Sequence, residues 1–247
     1  LGGVLGFGGA IGHPTLTVIN GLGLPVVVEV QGHRITLEPQ AHEQVSLDKA
    51  KHLRVTALTR QVVQIQSFAE SVEGSIHYVY NVAGGTALVE WTAVYGNTAP
   101  EEPRQLGAPV WLASRADFLF EEPPKSLSSS TKGGRKTVVS AFPADSPRQI
   151  LSHAEPNQRR HLLEMHATWD DPSSRHLIDW LIAAHDEPNA AELIHERLRR
   201  YPDDMSALRL EQDVATPDER RALCERTHQK SQQQPQNLDL LYLWLRC

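Results

Sequence analysis

Cysteine is scarce in this chain: only Cys224 and Cys247 occur in 247 residues. Two cysteines cannot form the multi-bridge framework of a small secreted domain, and their spacing fits no zinc-ligand pattern. Both fall on helical pattern near the end, where they are expected as two half-buried thiols. An excess of basic residues is also missing. Residues 1–145 carry 11 basic against 13 acidic side chains, and residues 146–247 carry 13 against 17. That balance excludes a general nucleic-acid binder. Catalytic motifs are missing too. There is no Gly-x-Ser-x-Gly nucleophile turn, and neither cysteine has a histidine-bearing, electropositive setting. Long apolar runs occur only at the start, where Leu1 to Gly12 is uncharged and glycine-rich. Twelve residues fall short of the ~20 that cross a bilayer. They are read as the tail of a membrane helix lying upstream, with a glycine-rich linker or signal remnant as the alternative.

What is present is globular: 40% hydrophobic and 22% charged residues over a length that suits two domains. From Thr15 to Tyr95 the apolar residues recur with a period of two. Leu16 and Val18 begin the series, Val26, Val28 and Val30 continue it, and Gln31-Gly32-His33 offers a turn before Ile35 and Leu37. Val45, Leu47, Leu53, Val55, Ala57, Val63, Ile65, Ile76, Tyr78 and Tyr80 extend the pattern to the run Leu88 to Tyr95. Short alternating strands broken by Gly, Pro and Asn predict an antiparallel β-sandwich over residues 14–142. Residues 97–109 read as a polar connection. Residues 125–130 and 136–140 read as hairpin arms around Gly133-Gly134.

After Pro143 the period becomes helical. Ser146-Pro147, Asp171-Pro172, Glu187-Pro188 and Thr216-Pro217 have the form of helix starts. The run beginning at Pro202 repeats at Pro235, and the chain stops within the second copy's helix. A period near 34 residues with a proline before each helix marks a stacked helix-turn-helix array over residues 146–247. On Pro202, Pro235, Ala207 and Ala222 this stretch resembles tetratricopeptide repeats, although the family's Trp, Leu-Gly, Tyr pattern in helix A is not met. The resemblance implies a groove that holds a segment of another protein. The β region looks like an immunoglobulin-like or transthyretin-like sandwich on pattern alone.

Several constellations bear on chemistry. His161 and His166 with Glu164 between them are five apart, so their rings diverge by about 140° on a helix and do not make a zinc-protease pair. Gly133-Gly134-Arg135-Lys136-Thr137 lacks the earlier glycine and following helix of a phosphate loop. Lys125, Lys132, Arg135 and Lys136 still form a positive stretch with no acid near them in sequence. Tyr78 and Tyr80 share one face, and together with Trp91 and Trp111 they offer a possible aromatic surface. No catalytic, cofactor or metal residue is expected. The expected function is protein–protein interaction by an extracytoplasmic, membrane-tethered scaffold, through His176, Arg209 and Tyr242 and with Lys132, Arg135 and Lys136 as a second contact. A carbohydrate- or lipid-binding module, or a regulatory part of an enzyme encoded elsewhere in the chain, is the alternative.

Overall fold

The computed structural model describes residues 14–47, 52–73, 76–95, 99, 101–125, 134–171, 174–185 and 190–247. The expectation for residues 1–13 lies outside them. The chain divides into two compact units, residues 1–21 with 25–142 and residues 22–24 with 143–247.

The first unit holds twelve strands among the described residues, in three four-stranded sheets. One contains β1 (Thr15–Ile19), β4 (His42–Ser46), β7 (His77–Asn81) and β10 (Trp111–Ser114), in the order β10-β7-β1-β4. Another contains β2 (Val26–Val30), β3 (His33–Leu37), β5 (His52–Thr59) and β6 (Gln64–Ser71), in the order β3-β2-β5-β6. The third contains β8 (Leu88–Tyr95), β9 (Arg104–Gly107), β11 (Phe118–Leu119) and β12 (Gly134–Ala141), in the order β11-β12-β8-β9.

Alternation fixes which face is buried. In β5, Leu53, Val55, Ala57 and Thr59 are buried while Arg54 between them is exposed. The β2–β3 hairpin closes through Gln31 (φ 48°) and Gly32 (φ 78°), the pair of positive angles that a tight two-residue turn demands. Buried Asn81 clamps the next turn with both amide atoms. Its Nδ2 donates to the Thr86 carbonyl at 2.8 Å, and its Oδ1 accepts from the Thr86 N–H at 3.1 Å.

Two readings of this region need correction. The pairings are not all antiparallel, because β1 with β7 and β11 with β12 run parallel. A period of two is the same in either direction, so alternation carries no information about a neighbour's sense. Residues 97–109 are not merely a connection, since β9 pairs with β8 there. Its Arg-Gln-Leu-Gly lacks the apolar rhythm that would have marked it. The expected hairpin arm at 125–130 lies largely outside the described residues, and β12 pairs with β8 and β11.

The second unit contains α1 (Pro147–His153), α2 (Pro156–Trp169), α3 (Arg175–Ala184), α4 (Ala190–Arg200), α5 (Met205–Val214), α6 (Pro217–Gln233) and α7 (Leu238–Leu245). Side-chain caps begin most of them. Ser146 accepts from the Gln149 N–H, Ser174 from Leu177, Asp204 from Ser206 and Ala207, and Asn237 from Leu240. Thr216 and Glu219 form a reciprocal capping box. The cap of α3 is thus Ser174, three residues beyond the expected Asp171. The Glu187-Pro188 start lies outside the described residues.

Helices adjacent in sequence pack together, as α2 with α3, α4 with α5 and α6 with α7, and further contacts reach past the next helix: α1 meets α3, α2 meets α4, α3 meets α5 and α5 meets α7. Leu177, Leu181, Ile194 and Ala207 form a buried cluster, flanked by Leu198, Leu210 and Val214. No helix among the described residues is long and apolar enough to cross a membrane.

The expectation of two free thiols is overturned. Cys224 on α6 and Cys247 after α7 form a disulfide, with their Cα atoms 5.7 Å apart. They are 23 residues apart in sequence, and the packing of α7 against α6 brings them together. Neither flank of sequence announces that return.

Candidate functional site

The residues expected to contact a partner fall in both units. Arg209 on α5 and Tyr242 on α7 do come together: the guanidinium carbon lies 4.8 Å from the centre of the tyrosine ring. Arg209 also reaches Asp239 at 3.5 Å. His176 is half-buried and engaged within the helical unit. Its Nε2 accepts a hydrogen bond from the Trp180 indole N–H at 3.1 Å, and its ring meets that of His166 edge to face.

Two cations of the positive stretch are paired by tertiary contacts. Arg135 bonds Glu101 at 2.5 Å, and Lys136 bonds Asp117 at 2.6 Å. Burial alone would raise the Asp117 carboxyl. The Lys136 bond and the Thr137 N–H outweigh burial and hold it below the usual carboxylate range. The acids were invisible as neighbours because Glu101 and Asp117 lie 34 and 19 residues away in sequence. Lys132 lies outside the described residues.

The aromatic residues of the β unit are mostly committed to packing. Phe68 of β6 contacts Tyr80 of β7 and Trp111 of β10 with ring centres 5.3 and 5.8 Å apart, and Tyr78 stacks on Trp111 at 5.3 Å. The Tyr78 hydroxyl accepts from the Glu73 N–H at 2.7 Å, and burial pushes the Tyr80 phenol's pKa up. Trp91 donates to the Ser140 hydroxyl at 3.3 Å. These contacts favour a structural role over a sugar-stacking platform.

The larger exposed feature is α7 itself. Its sequence, Leu-Asp-Leu-Leu-Tyr-Leu-Trp-Leu, is apolar on nearly every side. Leu240 and Leu243 are buried, whereas Leu238 is 74% and Leu245 70% exposed. At about 100° per residue, Leu241, Leu245, Leu238 and Tyr242 fall within an arc of about 100°. That width is an ordinary core-facing stripe, yet these four side chains are exposed. Trp244 closes one flank by stacking on His228 of α6 at 4.6 Å. Arg209 closes the other.

Two buried polar centres stand deeper in the helical unit, and both escaped the sequence reading. Arg197 is wholly buried on α4. It donates to Asp204 Oδ2 at 3.1 Å and to the Ala167 carbonyl of α2 at 3.2 Å, and its guanidinium lies over the Tyr201 ring. Asp204 caps α5 with its other oxygen, so one ion pair ties three helices.

The second centre joins His166 to Asp170, four residues on, rather than to His161. His166 Nδ1 lies 2.9 Å from Asp170 Oδ2, and the His166 ring stacks on Trp180 at 3.9 Å. Asp170 Oδ1 accepts the Gly23 N–H at 2.5 Å. An (i, i+4) His–Asp pair at the end of α2 was a signal available in the sequence. The part supplied by α3 was not.

Among the described residues, the surface depressions lack convergent catalytic groups. One is lined by Glu29, Arg34, His52 and Arg54, and another by Glu192, His195, Glu196 and Arg199. The chain matches no protein-family model and no curated protein.

Proposed function

We propose that the helical unit is a protein-binding module that receives an amphipathic α-helix of a partner protein along the exposed stripe of α7. The observation that carries this reading is the second apolar face of α7, since a helix that is apolar all round is normally covered on all sides. The occupant is helical because Leu238, Leu241 and Leu245 stand at i, i+3 and i+7, the spacing at which one helix seats another. The contacts of α3 with α5 and of α5 with α7 point the same way, because a helix laid on the stripe continues that series. The same contact pattern supports a solenoid-like stack. The Phe68 contacts to Tyr80 and Trp111 support face-to-face packing of two sheets as in a sandwich.

The module works as a non-catalytic scaffold outside the cytoplasm. The Cys224–Cys247 bond favours an oxidising compartment, where such bonds persist. Membrane attachment through the chain's apolar start belongs to the same proposal.

The test is selection from a displayed library of helical peptides, repeated on Leu238→Glu and Leu245→Glu proteins. The expected winners carry apolar residues at i, i+3 or i+4, and i+7, and lose binding by tenfold or more on either variant, about 1.4 kcal/mol. Winners without that pattern, binding that survives both variants, or self-association of the unmodified protein through α7 would each refute the proposal.

A further inference from the structure

We propose that His166, Asp170 and His176 form a binding site for a divalent transition metal of the zinc class, independent of the peptide-binding face. The three ligand atoms all lie within 4.8 Å of one another. Asp170 Oδ2 is 2.9 Å from His166 Nδ1 and 3.8 Å from His176 Nε2. Zinc bonds of 2.0–2.1 Å in a tetrahedron set ligand atoms about 3.3 Å apart, between those two distances. Two imidazoles and one carboxylate are the donor set that zinc accepts, with a fourth position left for water. Calcium and magnesium prefer all-oxygen shells, so the two imidazole donors select against them.

The surroundings hold the ligands as a metal site requires. The Gly23 N–H occupies Asp170 Oδ1 and so aims Oδ2 at the two rings. A β-carbon at position 23 would lie 2.9 Å from the Asp170 carboxyl carbon and 3.0 Å from the His176 ring, so only glycine allows this approach. Trp180 stacks on His166 and fixes its plane. An indole N–H can only donate, so the bond from Trp180 shows that His176 Nε2 carries a lone pair. That lone pair is the one a metal needs, and the metal competes with the indole for it. At His166 the metal takes the place of the hydrogen facing Asp170, and in the neutral ring that hydrogen moves to the other nitrogen. His166 and Asp170 side chains are fully buried, while the His176 side chain is 28% exposed and marks the route of entry.

The experiment strips the purified, disulfide-intact protein with a chelator and titrates it with Zn2+ by calorimetry, using Co2+ visible absorption as a second readout. Parallel titrations use His176→Ala, His176→Gln and His161→Ala, with far-UV circular dichroism checking that each is folded. One equivalent is expected to bind the unmodified protein and His161→Ala alike. Both His176 variants are expected to weaken binding by about tenfold or more. No binding by the unmodified protein, binding unchanged in either folded His176 variant, or loss in His161→Ala would each overturn the assignment.

Discussion

Replacing Asp204 with alanine is expected to destabilise the helical unit by about 4 kcal/mol, read as a lower urea midpoint with an unchanged slope. The substitution leaves the Arg197 guanidinium in a site where its side chain has no exposure and its strongest partner has gone. It also strips the cap from α5, which alone costs about 1 kcal/mol. Arg197→Met is expected to cost less than half as much. Methionine fills the stem's volume without a charge, and Asp204 keeps the two N–H groups of Ser206 and Ala207. The Arg197 Nη2 already lacks a hydrogen-bond partner among the described residues, so the pair is imperfectly satisfied as it stands. The asymmetry between the two substitutions is therefore the informative quantity. If Asp204→Ala costs under 1 kcal/mol, the guanidinium finds water there and the pair does not tie α2, α4 and α5.

Reduction of the Cys224–Cys247 bond is expected to cost about 3 kcal/mol, the loop-closure entropy of a cross-link spanning this length of chain. The loss concentrates on α7, which the bond pins to α6 at its C-terminal end. Gln212 donates to the Leu243 carbonyl at 2.9 Å, and Arg246 reaches Asp213 at 2.7 Å. Cys247→Ser under oxidising conditions is expected to reproduce the shift and to weaken peptide binding at the same time, because the stripe loses its fixed orientation. Unfolding that is indifferent to reductant would show that the bond adds nothing to α7's attachment.

The sequence announced those features that depend on near neighbours. Strands precede helices because the apolar period changes from two to that of a helix. The capping pairs Ser146-Pro147 and Thr216-Pro217 mark helix starts within a single turn of chain. The β2–β3 turn is legible for the same reason, since Gln31 and Gly32 bend the chain locally.

What stayed hidden depends on distant partners. Alternation in β1 cannot say that β7 runs parallel beside it. The disulfide depends on α7 lying against α6, and burial of Arg197 depends on Asp204 and on a carbonyl 30 residues earlier. The His166–Asp170 spacing of four residues is legible in the sequence. Its third member, His176, comes from the next helix. Within the helical unit the fold brings Arg209 and Tyr242 together, at the edge of the α7 stripe.

Amide hydrogen exchange on the complex with a selected helical peptide gives the most direct reading of that stripe. Slowed exchange confined to residues 238–245 and the adjoining part of α5 is the predicted result, diminishing when Leu245 is replaced by glutamate. Slowing that falls in the β unit, or no slowing at saturating peptide, would contradict the claim that α7 is where a partner docks.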